Sequence, residues 1–201
     1  TCTGVTDDKG NTYVISDRVS NGGAIIYMAY GVQVTAGTTS ITVSFSSNVV
    51  AKRCGADEYS GGATSNAAVF DVTGTGTGNG TSLASSTFTP AANGQLIVAL
   101  GGLSTAATWT AGTNYTLYNG SGSITMRSEY RLSGTTSETA PFTISGSAQN
   151  WAEIAMAFYP TVSSASPSVS PSVSPSASPS VSPAARPSQS PSASPSVSPS
   201  A

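Results

Sequence analysis

The sequence predicts an all-β domain, a two-layer antiparallel sandwich of jelly-roll or immunoglobulin-like kind, followed by an extended or disordered Ser/Pro-rich tail. Three observations carry this. Apolar residues recur with a period of two rather than 3.6. Turn-forming residues return every eight to twelve positions, the spacing of short sandwich strands. The composition changes abruptly after Pro160.

From Thr161 to Ala201 nine of the chain's twelve prolines fall on every fourth residue, from Pro167 to Pro199. The repeating unit is Pro-Ser-(Val/Ala)-Ser, with Arg186 its one charged residue. Proline at this density forbids a helix and removes sheet donors, and scattered Val and Ala bury too little area to offset backbone ordering. The expectation is a stalk or linker over 161–201, reaching about 130 Å if fully extended as polyproline II. Dense Ser beside Pro is also the composition of O-glycosylated stalks, making Ser168, Ser172, Ser176 and Ser180 candidate acceptors.

Residues 1–160 form the second unit, long enough for one domain with a substantial core. Ile41, Val43 and Phe45 alternate with Thr42 and Ser44, and Phe142 and Ile144 with Thr143 and Ser145. Ile124, Met126, Tyr130 and Leu132 alternate with Thr125, Arg127, Glu129 and Arg131. β-branched residues dominate these runs, as strands prefer. The short apolar run Leu96–Leu100 suits a strand buried on both faces. Strands are expected over 3–7, 11–19, 24–33, 40–47, 50–60, 67–73, 84–89, 95–101, 114–119, 123–133, 140–145 and 151–159. Asp8-Lys9-Gly10-Asn11, Asn21-Gly22, Asn93-Gly94 and Asn119-Gly120 are hairpin candidates, since Gly and Asn tolerate positive φ. The alternating Gly74, Gly76, Gly78 and Gly80 read as a flexible loop between strands, not a phosphate loop, because no Lys-Ser/Thr follows. A closed barrel is the alternative architecture. An opening on Thr1 already in strand pattern is expected of a processed or truncated start that lacks an upstream strand.

Charge narrows the function classes. Charged residues make up 8% of the chain, the net charge is −2, and there is no histidine. A nucleic-acid binder needs a basic face, so none is expected as partner. Without His the commonest general base, metal ligand and Ser-His or Cys-His pairs are gone. No apolar run approaches a membrane span. No cofactor and no metal site is expected, and two Cys alone make too few ligands for zinc.

Cys2 and Cys54 read as a disulfide tying the first strand to the fifth, worth about 4 kcal/mol by loop closure and implying an oxidising compartment; two unpaired buried thiols are the alternative. Glu58, Glu129 and Glu153 sit in strand-like stretches that a sandwich can bring to one face, and a glycosidase needs two such carboxylates. Solvated or ion-paired carboxylates are the commoner outcome, and the expectation is no enzyme. Asp7 and Asp8 beside a Gly-Asn turn suit a hairpin better than a Ca²⁺ site, whose loop spacing is absent. Arg127, Glu129 and Arg131 share one strand face, where a surface ion-pair ladder is expected.

Trp109, Asn114, Tyr118 and Asn119 form a candidate glycan-binding group. An aromatic ring complements the apolar face of a pyranose, and amides bond its hydroxyls. Burial of the Trp109 ring in the core would remove it from that group. Asn79, Asn114 and Asn119 each open an Asn-x-Ser/Thr triplet, a candidate N-glycosylation site.

Val5-Thr6-Asp7-Asp8-Lys9-Gly10-Asn11-Thr12-Tyr13 resembles the opening of a β-sandwich module repeated in bacterial, archaeal and phage surface proteins. Ile41–Phe45, Glu58–Gly61, Phe70–Val72, Thr110–Leu117, Glu129-Tyr130 and Trp151-Ala152 resemble the rest of that module. The resemblance implies display on a cell envelope or virion, with an extra strand before the opening motif, and supplies no catalytic residues. The functional expectation is therefore a non-catalytic structural or adhesive protein of an extracellular filament, envelope or virion. Its partners would be further copies, other envelope or virion proteins, or glycans. A carbohydrate-binding module on a Ser/Pro linker is the alternative.

Overall fold

A computed structural model describes residues 1–48, 52–118, 122–134 and 136–161. The candidate serines of the repeat, Asn119 and the Asn119-Gly120 turn lie outside the described residues. The described residues are β-structured apart from one helical turn. Its elements are β1 (Cys2–Asp7), β2 (Val14–Ile15), β3 (Val19–Asn21), β4 (Ala24–Ile26), β5 (Ala29–Tyr30), β6 (Ile41–Phe45), α1 (Asn66–Val69), β7 (Phe70–Gly80), β8 (Ser82–Ala84), β9 (Leu96–Thr110), β10 (Thr116–Leu117), β11 (Ser123–Leu132), β12 (Pro141–Ile144) and β13 (Gln149–Phe158).

The principal sheet is antiparallel and runs β10-β11-β9-β13-β7. β9 and β13 occupy its centre, and their sequences explain this. Leu96–Leu103 and Trp151–Phe158 are apolar at almost every position, as a strand covered on both faces requires. One face of β13 packs Trp151, Ala155 and Ala157 into a core with Ile97, Phe142 and Leu83. The other packs Ala152, Ile154, Met156 and Phe158 against Val19, Ile26 and Val69.

β9 is bent. Its register against β11 shifts between Ile124 and Met126, and beyond the bend Trp109 and Thr110 pair with Ile144 and Thr143 of β12. β12 in turn pairs with β8. The bent end of β9 returns over the first core face, so that the Trp109 indole lies directly above Gly101 of the same strand. A side chain at Gly101 would strike that ring.

The Gly-Thr alternation is an edge strand, not the expected flexible loop. Gly74, Gly76 and Gly78 of β7 lie opposite Ala155, Glu153 and Trp151, and so share one face. The Ala84–Phe88 segment passes over Gly74 and Gly76, and the Trp151 ring covers Gly78. The β-branched threonines are confined to the opposite face, where Thr73, Thr75 and Thr77 are exposed. Gly74, Gly76 and Gly78 leave no room for a Cβ, because backbone crosses Gly74 and Gly76 and the indole covers Gly78.

Two other expectations change. Asp8–Asn11 does form a turn, with Gly10 at φ 75°, but β1 pairs with the distant β6 rather than the next strand. Residues 67–73 begin as a helical turn, because the Ser65 side chain accepts a hydrogen bond from the Ala68 amide at 3.2 Å and caps it. Asn21-Gly22 is a hairpin as expected: Asn21 pairs with Ala24 across Gly22 and Gly23, both at positive φ. Residues 52–60 form no strand.

Candidate functional site

Glu129 and Glu153 do share a face. Across β9, Glu129 lies opposite Ala99 and Glu153 opposite Gly101, two positions apart on the same side of the strand. The small residues between them leave space for both side chains. Neither is exposed to solvent: both have zero accessible surface. The Gly112 amide donates to Glu129 Oε2 at 2.9 Å. Among the described residues, Glu129 Oε1 and both Glu153 oxygens have no hydrogen-bond partner.

Desolvation dominates their chemistry. Burial pushes the Glu129 carboxyl up to about 8, with the Gly112 bond opposing. Burial pushes Glu153 up to about 9, and the Glu129 charge adds to it. The nearby Ser85 backbone gives partial relief but falls short of a hydrogen bond. Burial therefore favours the protonated form of both carboxyls. Glu58 is remote from it in kind: exposed, in the 52–60 segment.

The expected surface ladder of Arg127, Glu129 and Arg131 is buried on one strand face instead. Arg127 is 8% exposed and Glu129 fully enclosed. Arg131 pairs with Glu138 of another segment at 2.9 Å and stands 5.3 Å from the Tyr115 ring centroid.

Trp109 is not a sugar platform. Its ring is 5% exposed, meets Phe142 edge-on at 5.2 Å, and donates from Nε1 to the Ile124 carbonyl at 2.8 Å. The bend in β9 turns it inward, which the local sequence does not reveal. Asn114 is exposed at φ 66°.

Tyr118 takes part in a different arrangement. On the second face of the principal sheet it meets Tyr130 at 6.5 Å and Tyr59 at 6.0 Å, while Tyr59 meets Tyr130 at 5.4 Å. All three rings are partly exposed. They line a cleft of about 2700 Å³ whose floor includes Val98, Leu100 and Met126 and whose wall includes Val5, Val43 and Phe45 of the β1–β6 ribbon. Asn114 lines it too. Ser128 Oγ donates to Asp57 Oδ2 at 2.6 Å beside the tyrosines. Desolvation raises the Asp57 carboxyl, against that hydrogen bond. The Tyr59 hydroxyl is buried without a partner among the described residues, and burial raises it strongly. Tyr59 and Tyr130 were not expected here, since β11 alternation alone does not say which face stays open.

Asp7 and Asp8 serve the turn. Asp7 accepts from Asn11 Nδ2 at 2.6 Å, the Tyr13 hydroxyl at 2.7 Å, and the Lys9 and Asn11 amides. Desolvation works against ionisation, but these donors outweigh it and hold the carboxyl well below the usual range. The Thr39 and Ser40 amides and the Thr39 hydroxyl lower Asp8. Asp7 thus closes the turn on itself, while Asp8 ties it to Thr39 and Ser40. No group of three or more potential metal-ligating Cys, Asp or Glu occurs among the described residues.

Cys2 and Cys54 stand unbridged, correcting the expected disulfide. Cys2 lies on β1, whose partner is β6, while Cys54 is exposed on a segment that joins no strand. Asn79 is exposed on β7, where its Nδ2 donates to Asn150 Oδ1 at 2.9 Å.

Comparison of the chain with protein families, curated proteins and solved structures finds no match. Among the described residues no helix is long and apolar enough to cross a membrane.

Proposed function

We propose that this chain is a non-catalytic, surface-exposed structural or adhesive protein of an extracellular filament, cell envelope or virion. In this reading the β domain is a two-layer sandwich of the kind found in bacterial, archaeal and phage surface modules, presented on its Ser/Pro repeat. One observation carries the non-catalytic part. The carboxyl pair best suited to glycosidic chemistry, Glu129 and Glu153, is enclosed in the core, and neither residue lines the cleft. General acid–base work requires a carboxyl within reach of substrate. The low charge and the proline repeat support an extracellular setting.

Fractionation of the native source tests the proposal. The protein is expected with envelope, filament or particle material, and accessible to a membrane-impermeant label. Recovery solely as a free cytosolic monomer overturns it.

A second reading, carbohydrate binding, is favoured by the Tyr59–Tyr118–Tyr130 cluster in an open cleft. Partly exposed rings beside a hydrogen-bonding carboxyl and amide are the elements of a sugar site.

A further inference from the structure

The distribution of charge around the cleft is uneven. The chain has seven basic and nine acidic residues. Four of the seven, Arg18, Lys52, Arg53 and Arg131, line the cleft, against only Asp57 and Glu58 of the nine. Arg131 is committed to Glu138. Arg18, Lys52 and Arg53 are exposed, and no ion pair holds them among the described residues. Lys52 Nζ stands 5.8 Å from the Phe45 ring centroid, which places its ammonium against the cleft wall. Among the described residues, three exposed cations outside any ion pair thus line the same cleft as the tyrosines.

We propose that this cleft binds an acidic polysaccharide, with Tyr59, Tyr118 and Tyr130 contacting sugar faces and Lys52 and Arg53 contacting carboxylates. The inference rests on the carbohydrate reading and narrows it to a polyanionic ligand. Two features complement such a chain together. Aromatic rings meet the apolar C–H faces of pyranoses. Rim cations meet the repeating negative charge, steering association and making it salt-dependent. A neutral glycan would use the rings and leave the cations without a role. The Asp57–Ser128 pair supplies an acceptor and a hydroxyl for sugar hydroxyls.

Affinity electrophoresis of the full chain through gels containing polygalacturonate or neutral dextran tests this. Retardation is expected in polygalacturonate alone, and should weaken as salt rises. Tyr118→Ala should weaken binding by about tenfold, and so should the double variant Lys52→Gln/Arg53→Gln, whose exposed side chains hold no core contact. Circular dichroism checks that each variant remains folded. Equal retardation in both gels, unaffected by K52Q/R53Q, overturns the acidic ligand while leaving carbohydrate binding standing. Retardation in polygalacturonate that K52Q/R53Q abolishes but Tyr118→Ala and Tyr59→Ala leave intact is plain ion exchange and overturns the cleft. No retardation in either gel overturns this inference, and a failure to bind an array of neutral and acidic glycans overturns the carbohydrate reading as well.

Discussion

Glu129 and Glu153 stand on opposite sides of β9, opposite Ala99 and Gly101, with both carboxyls facing the same core. A charge in such a place has lost its water and gained little in return. The protein accommodates the pair by holding it protonated, with folded values of about 8 and about 9 against 4.5 for a free glutamate.

Stability should therefore fall as pH rises. Below about 4.5 both states hold these protons. Above it the unfolded chain releases them while the folded chain keeps them until about 8 to 9. Across that window the native state binds more protons, so each added pH unit favours unfolding. One pKa unit is worth about 1.4 kcal/mol, so the loss reaches several kcal/mol. Asp7 acts in the opposite sense, its contribution fading as pH falls below the ordinary Asp range. Thermal unfolding followed by circular dichroism should give its highest Tm near pH 4–5. Glu153→Gln should flatten the alkaline decline, and an unchanged slope in that variant would count against the buried pair.

Gly76 should resist substitution. A Cβ there meets the Ala84 carbonyl, which is backbone and cannot swing aside. Gly76→Ala should cost about 1–3 kcal/mol, the usual range for overpacking. Gly80 of the same strand has only ordinary contacts nearby, and Gly80→Ala should cost less than half as much. Urea unfolding midpoints compare the two.

Trp109 and Tyr118 should separate stability from binding. Trp109→Ala empties a core site and removes the indole bond to Ile124, at a cost of about 3–5 kcal/mol. Tyr118 is partly exposed, and Tyr118→Ala should cost about 1–2 kcal/mol. Chemical denaturation of both measures this; equal losses would place Tyr118 in the core instead.

The two thiols should be free. Cys54, exposed, should react with a thiol reagent in the native state, and Cys2 more slowly because it is partly covered. Mass spectrometry of the unreduced, alkylated chain should show two adducts. No adduct without reductant would restore the disulfide.

Much of the large sheet was legible. β11, β13 and the first half of β9 follow from apolar runs and period-two alternation, and Asn21-Gly22 from its turn chemistry; the extension of β9 to Thr110 has no such run. The site was less so. That Glu129 and Glu153 can share a face follows from their alternation, but their separation by a single strand depends on β9 lying between β11 and β13. Trp109 looked available because it is followed by turn residues, yet the bend in β9 folds it onto Gly101. Tyr59 lies in the strand expected over 50–60, but residues 52–60 form none, so alternation there says nothing of its place.

The sequence by itself determined the all-β class, the position of the central strands and the change of composition after Pro160. These depend on local patterns: alternation along a strand, and proline spacing along a tail. Only the tertiary structure decided which faces are covered. Strand order, the bend in β9 and the passage of Ala84–Phe88 over the β7 glycines are contacts between residues far apart in the chain. Burial follows from those contacts, and burial is what makes Glu129 and Glu153 neutral core residues and leaves the three tyrosines at an open cleft.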